Sequence, residues 1–411
     1  LYPPEGLSFD EYNIWIERKL NPVKCRVVNI MKTFLTQYWT PKYNESGVGV
    51  IVSFAKMAVS EKIPGSDILL SKINENIFGN DAQTPLEGEN PLNSLQSVGL
   101  PTKNNVEQTA VKLHSSMKSS DLLDIDPYLY AAQLTLIEHD LYLRITMFEC
   151  LDRAWGNKYC DMGGSPNITR FIANANSLTN YVSFTIVKHA DVQKRAKLIQ
   201  YFITVAQHCK ELNNFSSMTA IVSALYSSPI YRLKQTWNLV PTETKEVLDN
   251  LNSLMDSKRN FIKYRELLRS VKDVACVPFF GVYLSDLTFT FAGNSDYLDG
   301  KTDIINFGKR SKIANIIEGI LTFKKFHYKL KRLDDVQTGI EEGLEGVPHI
   351  EKQYQLSLQI EPRPETTKTG NTSGHHSHDR LNKSSNPEYA EEKPQPFINF
   401  RRKKQTSKFF G

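Results

Sequence analysis

Apolar residues recur three and four positions apart through long stretches of the chain, which is the spacing of one face of an α-helix. Asp191, a residue type that favours helix N-caps, precedes one such run. The run consists of Leu198, Phe202, Val205, Cys209 and Leu212. A second run follows the break at residues 213–214 and consists of Phe215, Met218, Val222 and Leu225. Together they predict a pair of antiparallel core helices, the second of which ends before Pro229.

The same helical spacing returns in residues 11–38, 245–269 and 312–330. The alternation of apolar and polar residues that is typical of a strand is scarce apart from residues 354–361. The pattern therefore predicts a predominantly α-helical architecture, with residues 354–361 as the exception.

Two stretches lack regular patterning. Residues 61–121 turn to Ser, Asn, Gly, Pro and Gln around short apolar pieces, which predicts a partly ordered connector. After Arg363 the sequence is rich in Thr, Ser, Gly, Asn, His and Lys and has almost no large apolar residue before Phe397. Such a tail buries too little apolar surface to offset the entropy of ordering, so we expect it to be disordered.

The net charge of +5 lies in this tail. Residues 363–411 hold ten Lys and Arg against five Asp and Glu, which leaves forty of each sign in the remainder. Non-specific nucleic-acid binding needs clustered cations that release counterions from phosphates, so the neutral body argues against nucleic acid as its partner. The basic residues 401–404 beside Phe409 and Phe410 allow two interpretations, a solvated tail or peripheral association with anionic membrane.

The five cysteines are widely spaced and form neither a CxxC pair nor a zinc-finger pattern, so we expect reduced, cytosolic thiols. The most apolar long stretch, residues 273–293, contains Pro278 and Asp286 and falls short of the roughly 20 apolar residues that span a bilayer. The chain begins at Leu1, without the basic and apolar blocks of a secretory signal, and we expect it to be a fragment of a longer protein.

Residue types that often form catalytic or metal sites occur here in contexts that oppose such roles. Residues 300–302, Gly-Lys-Thr, resemble the end of a phosphate-binding loop, but six residues instead of four separate them from Gly293. The three histidines within residues 375–378 lie in the tail without a folded frame. His139 has an acidic residue on either side, yet neighbours in a helix face different directions. The sequence therefore predicts no metal, no cofactor and no nucleophilic catalysis.

Three aromatic-rich stretches depart from ordinary helix patterning: residues 223–233, 259–266 and 277–294. The first is a turn after a buried helix. In the second, Asn260 and Phe261 interrupt a regular pattern of charges, and in the third Pro278 and Gly281 interrupt a helix. Core packing explains each stretch when it is taken alone.

Taken together with other motifs, these stretches resemble the catalytic domain of Ras guanine-nucleotide exchange factors of the Son-of-sevenless type. The motifs are QLTLIEHD at 133–140, SPN at 165–167, ELNNF at 211–215, SSPIYRL at 227–233, VPFFG at 277–281, INF at 305–307 and LQIEPR at 358–363. The sequences of residues 171–176 and 284–291 are similar to those of fungal cell-division-cycle members of the family. Residues 11–39 resemble the later part of the Ras exchanger motif that precedes this domain.

The resemblance implies an all-α catalytic domain with a protruding helical hairpin. It places this domain at residues 126–363, after a partial Ras exchanger motif at residues 1–60 and a partly ordered linker at residues 61–125. Residues 364–411 remain the disordered basic tail.

In this family two helices project from the domain and open the nucleotide site of the GTPase by displacing switch I and disturbing its magnesium and phosphate contacts. The resemblance implies a hairpin that begins at Phe279, with residues 305–320 packed back along its first helix. It implies a role in exchange for Phe279, Ser285, Asp286, Thr288, Phe289, Ala292 and Asn294. Animal members have a larger aliphatic residue in place of Thr288 and a glutamate in place of Ala292. We therefore expect steric opening of the nucleotide site rather than mimicry of phosphate by a carboxylate.

A separate surface is implied to hold switch II of the GTPase. Ile172 and Phe279 match positions that form an apolar pocket for a switch II aromatic residue, and Thr219 is more polar than the leucine that usually completes this pocket. The implied GTPase contacts are Ile172, Thr219, Tyr226, Ser228, Tyr231, Asn260 and Phe261.

The function implied by the resemblance is guanine-nucleotide exchange on a Ras-family small GTPase, with neither bond chemistry nor a cofactor. The implied location is the cytoplasm, at the inner face of the plasma membrane. Nothing in the sequence indicates a homo-oligomer. An alternative interpretation is a non-catalytic helical adaptor for a Ras-like GTPase, which the altered residues at positions 288 and 292 favour.

Overall fold

The computed structural model of the chain describes residues 3–79, 122–151, 155, 164–298 and 304–363. The chain folds as two compact units, residues 1–102 and 103–411. Most of the predicted connector, the Gly-Lys-Thr sequence at 300–302, Cys160 and the predicted tail lie outside the described residues.

The first unit is a small bundle of helices. They are α1 (Phe9–Trp15), α2 (Asn21–Thr33), α3 (Pro41–Asn44), α4 (Val48–Ser60) and α5 (Ser66–Ile73). Its core is formed by apolar side chains of α2, α4 and α5, among them Val28, Ala55 and Leu69. Part of the predicted connector is therefore a packed helix, because α5 contributes to this core.

Short irregular turns extend these helices. Ile16–Leu20, Phe34–Tyr38 and Asn74–Phe78 are π-helical, and Glu45–Gly47 is a 3₁₀ turn that leads into α4. A capping box opens α1, since the backbone N–H groups of Ser8 and Glu11 each donate to the side chain of the other residue.

The second unit is larger and contains the three stretches that depart from helix patterning. Its first helices are α6 (Pro127–Leu143), α7 (Pro166–Val187), α8 (Val192–Glu211), α9 (Phe215–Leu225), α10 (Ser228–Tyr231) and α11 (Lys234–Asn238). They are followed by α12 (Thr242–Leu254), α13 (Ile262–Ser270), α14 (Gly281–Gly293), α15 (Phe307–Thr322), α16 (Asp334–Leu344) and α17 (Ile350–Ile360). Leu122–Asp124, Phe148–Cys150 and Phe323–Lys325 are short 3₁₀ turns.

Side-chain caps fix where several of these helices begin. Asp126, Asp191 and Asn214 accept hydrogen bonds from free backbone N–H groups in the first turns of α6, α8 and α9. Asn306 does the same at the start of α15. Pro127 and Pro166 occupy first helical positions, where the missing N–H removes no helical hydrogen bond.

The predicted pair of core helices corresponds to α8 and α9, which pack against each other and against α7. Asn213, with a φ of 56°, makes the turn between them. The all-α prediction is confirmed, because β-structure in the described residues is limited to two isolated bridges, Asn214 with Val277 and Tyr297 with Ile305.

The alternating stretch at residues 354–361 belongs to a helix, not a strand. In α17 the fully buried residues are Gln353 and Ser357, which lie four apart, while Leu356 and Ile360 pack partly against the core. The buried face of α17 therefore includes polar residues. Because the helical period is carried in part by polar residues, the apolar residues alone alternate as in a strand, and the prediction from them was wrong.

His139 and four of the five cysteines lie among the described residues. His139 is buried, and its Nε2 lies 3.1 Å from the carbonyl oxygen of Phe326. Cys25, Cys150, Cys209 and Cys276 are unpaired. Burial raises the pKa of the Cys150 thiol to about 12, so this thiol is inert at neutral pH. Within the described ranges, none of the helices has the length and apolar character to cross a membrane.

Glu138, on α6, is fully buried between two neutral donors. Asn174 Nδ2 donates to one carboxylate oxygen at 2.8 Å and Ser216 Oγ donates to the other at 3.1 Å. Burial raises the pKa of this carboxyl to about 7, although the two hydrogen bonds lower it in part. The folded chain therefore binds this proton more tightly than the unfolded chain does, and stability falls as pH rises from about 4.5 to about 7.

We expect Glu138→Gln to remove this loss of stability, because glutamine keeps the shape of the side chain and carries no charge. The gain above neutral pH is expected to be on the order of 3 kcal/mol. Denaturant unfolding between about pH 5 and about pH 8 measures it. Asp140→Asn is the control, since Asp140 lies on the same helix and makes a half-exposed ion pair with Arg332. A Gln variant with the pH slope of the wild type would identify another titrating group.

Candidate functional site

Helices α14 and α15 pack against each other as a hairpin whose far half leaves the core. The buried residues of α14 all lie in its first seven positions: Val282, Tyr283, Leu284 and Leu287. Beyond them, Phe289 and Ala292 are exposed. In α15 the buried apolar residues are Ile313, Ile317 and Ile320, which belong to the same core as the first half of α14. The sequence predicts a hairpin that begins at Phe279, and in the structure its first helix begins two residues later, at Gly281.

The tip of the hairpin is held by polar contacts. Leu298 N donates to Ile304 O at 2.8 Å, next to the bridge between Tyr297 and Ile305. Lys309 is buried, and its Nζ donates to Phe291 O at 3.1 Å and lies 3.1 Å from a carboxylate oxygen of Asp296. The carbonyl groups in the last turn of a helix have no partner within the helix, so this buried cation stabilises the C-terminal end of α14.

Phe279 lies at the base of the hairpin and is only 5% exposed. Its backbone N donates to Tyr264 Oη at 2.8 Å, and its ring lies 6.0 Å from the ring of Phe261. A β-carbon on Gly281 would come within 2.6 Å of the Phe279 ring, so glycine is required at the start of α14 for this packing.

The polar residues predicted on the hairpin face are largely engaged within the protein. The Asp286 carboxylate accepts two hydrogen bonds from Arg265, each 2.8 Å long. Thr288 Oγ1 donates to Leu284 O, and Asn294 Nδ2 donates to Thr290 O. Ser285 is half-buried, and the exposed members are Phe289, which is 76% exposed, and Ala292. The far half of α14 thus presents apolar surface.

A left-handed turn joins α12 to α13. Arg259, Asn260 and Phe261 have positive φ values of 54°, 56° and 57°. Residues with a β-carbon adopt this region rarely, and three in succession store strain of the kind found at functional segments. Asn260 is exposed and Phe261 is half-buried. The interruption predicted at these two residues is real, and its cause is this turn.

Tyr226 and Tyr231 form a stacked pair near the end of α9, with ring centroids 6.4 Å apart. Tyr226 Oη donates to Asp249 on α12 at 2.6 Å. Burial, together with Asp249, raises the pKa of Tyr226 above its ordinary value. Lys234 Nζ lies 4.7 Å from the centroid of the Tyr231 ring. Tyr231 is 47% exposed, so the tyrosine pair offers an aromatic surface that Asp249 and Lys234 hold in place. Ser228 beside it is also exposed.

The two remaining predicted contacts differ in accessibility. Ile172 is half-buried on α7. Thr219 is buried on α9, and its hydroxyl donates to Phe215 O at 2.7 Å. Thr219 therefore lies beneath the surface, with its polar group satisfied inside its own helix.

Four of the predicted site residues form two aromatic pairs, Phe261 with Phe279 and Tyr226 with Tyr231. Sequence reasoning missed four residues that fix the elements of the site. Tyr264 and Asp249 bond Phe279 and Tyr226. Arg265 and Lys309 bond Asp286 and Phe291 O on α14. Arg265 lies in the stretch 259–266 that was distinguished by its composition, and Lys309 follows the INF motif. Their partners are distant in sequence, so no local pattern identifies them.

The chain is similar to known exchange proteins. Residues 129–311 match the family model described as RasGEF domain. Cell division control protein 25 of Saccharomyces cerevisiae is 64% identical over 421 aligned residues, which cover 100% of this chain and 26% of that protein. Guanine nucleotide exchange factor SDC25 of the same species is 48% identical over 89% of this chain and 29% of its own length.

A more distant relative comes from another organism. Ras guanine nucleotide exchange factor Y of Dictyostelium discoideum is 40% identical over 207 residues, which cover 50% of this chain and 14% of that protein. The chain spans less than a third of the length of each of these three relatives.

Proposed function

The chain belongs to the RasGEF family, and on this premise we propose that it is a guanine-nucleotide exchange factor for a Ras-family small GTPase. In this proposal residues 126–363 form the exchange domain, residues 1–60 a partial Ras exchanger motif, and residues 61–125 the linker. Residues 364–411 are a basic tail that allows two interpretations, a solvated segment or peripheral association with anionic membrane, and the proposed location of the chain is the cytoplasm, at the inner face of the plasma membrane.

The observation that carries the proposal is the hairpin. Its first turns are buried up to Leu287, and beyond this point it presents Phe289 and Ala292 to solvent. An element that is rigid at its base and apolar at its far end is suited to enter the nucleotide site of a GTPase. Because Ala292 offers no carboxylate and Thr288 donates within α14, expulsion of GDP rests on steric opening of the site.

A second surface must hold the GTPase while the hairpin acts. The tyrosine pair, Ser228 and the left-handed turn supply exposed aromatic and polar groups for this contact. Held aromatic side chains lose little conformational entropy on binding and dominate many interfaces. We assign contact with switch II to this surface, together with Ile172.

Magnitudes explain why so much contact is needed. A GTPase with picomolar affinity binds its nucleotide by about 16 kcal/mol, and with association near 10⁶ M⁻¹s⁻¹ release takes on the order of days. An acceleration of roughly 10⁵-fold corresponds to about 7 kcal/mol. The exchange factor supplies it by binding the nucleotide-free GTPase. No covalent bond is made or broken, and the excess of GTP over GDP in a cell sets the direction.

Release of a fluorescent GDP from purified Ras in the presence of excess GTP tests the proposal. We expect the rate to rise with the concentration of the chain and to saturate. The alternative, a non-catalytic adaptor, is favoured by the engaged polar groups of the hairpin face. An adaptor would bind the GTPase without accelerating release, so co-sedimentation or calorimetry on the same sample distinguishes the two.

A further inference from the structure

Arg265 joins the left-handed turn to the hairpin. Its Nε donates to Asn260 O at 2.8 Å, and its Nη2 donates to Asn260 Oδ1 at 3.0 Å. The same guanidinium donates from Nη1 and Nη2 to the two carboxylate oxygens of Asp286, both at 2.8 Å. One side chain thus holds a strained segment on one side and the second turn of α14 on the other.

These four hydrogen bonds use the shape of the guanidinium. The group is planar and presents its donors in a fixed fork, which matches the two oxygens of a carboxylate. Lysine carries the same charge on a single nitrogen. It therefore cannot bind both oxygens of Asp286 side by side while it also bonds to both Asn260 acceptors.

The same two segments also meet at the base of the hairpin. The Phe261 ring contacts the Phe279 ring, and Tyr264 Oη accepts a hydrogen bond from Phe279 N. The buried side chains of α14 and its packing against α15 hold the first half of the helix in the core. The Arg265–Asp286 pair adds a polar contact five residues into α14 that ties this helix to the left-handed turn.

We propose that Arg265 is a positioning residue for nucleotide exchange, which fixes the direction of the hairpin relative to the left-handed turn that contacts the GTPase. This inference rests on the proposed function. It assigns to Asp286 the role of the hairpin's anchor instead of a direct contact with the GTPase. It also explains the strained turn, because the backbone carbonyl and side chain of Asn260 are both aimed at Arg265.

A purely structural role predicts a different result from a positioning role. Arg265 and Asp286 are 25% and 24% exposed, so the pair is mostly buried, and its loss is expected to lower the thermal unfolding midpoint. A structural role alone leaves the rate of nucleotide release unchanged at temperatures well below that midpoint. If the pair directs the hairpin, the maximal rate of nucleotide release falls even though the chain remains folded.

The test compares Arg265→Lys with Arg269→Lys, an exposed arginine one turn further along α13. For Arg265→Lys we expect about a tenfold lower rate of GDP release at saturating exchanger, which corresponds to about 1.4 kcal/mol. The concentration that gives half the maximal rate is expected to change less than the maximal rate, because the tyrosine pair and Ser228 are intact and only the contact through Asn260 is altered. Arg269→Lys is expected to match the wild type in both quantities.

Asp286→Asn provides a second variant that removes the other half of the pair. Combined with Arg265→Lys it is expected to add little further loss, because both substitutions break the same interaction. Equal maximal rates for Arg265→Lys and Arg269→Lys, or fully additive effects of the two substitutions, would overturn the inference.

A distance measurement separates this inference from the proposed function. Spin labels at Ala292→Cys and Lys197→Cys, with Cys25 and Cys160 replaced by Ser, report the direction of the hairpin without any GTPase. We expect a broader distance distribution in Arg265→Lys than in Arg269→Lys, and identical distributions would refute the positioning role. Failure of the wild-type chain to accelerate GDP release would instead contradict the proposed function.

Discussion

Replacement of Phe279 with Ala is expected to lower the free energy of unfolding by about 3–5 kcal/mol and to remove most of the nucleotide-exchange activity. The side chain is 5% exposed and packs between Phe261 and the start of α14. Its loss leaves a cavity at the base of the hairpin, where rigid support is needed. Denaturant unfolding and GDP release from purified Ras measure the two effects.

Tyr231→Ala is the matched comparison, because it also removes an aromatic ring from the proposed site. Tyr231 is 47% exposed, so this variant is expected to unfold within about 1 kcal/mol of the wild type. Its exchange defect should appear as weaker binding of the GTPase and disappear at high exchanger concentration. A Phe279→Ala variant as stable as Tyr231→Ala would show that the base of the hairpin is not part of the core.

The core helices can be predicted from the sequence because burial imposes a helical period on apolar residues. Leu198, Phe202, Val205 and Cys209 share one predicted face, and all four are buried in α8. The period is weaker in α14, whose first half is buried on several sides while its far half is exposed. The hairpin was therefore identified from its resemblance to a family and not from periodicity.

The sequence does not separate buried from exposed members of the site. The resemblance implies a role in the site for Phe279, Thr219 and Tyr231 alike, yet only Tyr231 is exposed. Burial depends on which helices meet, and these contacts join residues far apart in sequence. Arg265 and Asp286 are 21 positions apart, and Tyr226 and Asp249 are 23 apart. The interruption of the helix pattern at Asn260 can be predicted from the sequence. The left-handed backbone of Arg259, Asn260 and Phe261 cannot, since none of these residues is glycine.

Arg195→Met is expected to destabilise the chain by about 3–5 kcal/mol, because it leaves the Glu361 carboxylate buried without its cation. The two side chains are 2% and 5% exposed, and Arg195 Nη2 lies 3.1 Å from Glu361 Oε1. Arg195 also donates to Thr236 Oγ1 and to the carbonyl groups of His189 and Ala190. Lys197→Met, an exposed change on the same helix, is the control and should unfold with the wild type.

The pH dependence of unfolding identifies the cause of this loss. Burial by itself raises the pKa of Glu361, but hydrogen bonds from Thr236, Gln235 and Arg195 outweigh it and hold the pKa below its ordinary value. In the wild type this carboxylate therefore stabilises the fold above the unfolded pKa, and the contribution is lost as pH falls through the folded pKa. Arg195→Met should raise the folded pKa and reduce this acid-dependent loss.

The effect of Arg195→Met should extend to exchange, because the same carboxylate also holds the segment after the tyrosine pair. Glu361 accepts hydrogen bonds from the backbone N–H groups of Gln235 and Thr236, both 3.0 Å long, and Arg232 donates to its carbonyl oxygen at 2.7 Å.

The double variant Arg195→Met with Glu361→Met is expected to recover much of the lost stability, since no buried charge remains unpaired. It should recover less of the exchange activity, because α11 has still lost its carboxylate. Equal recovery of both would mean that the ion pair supports folding alone and has no part in placing Tyr231.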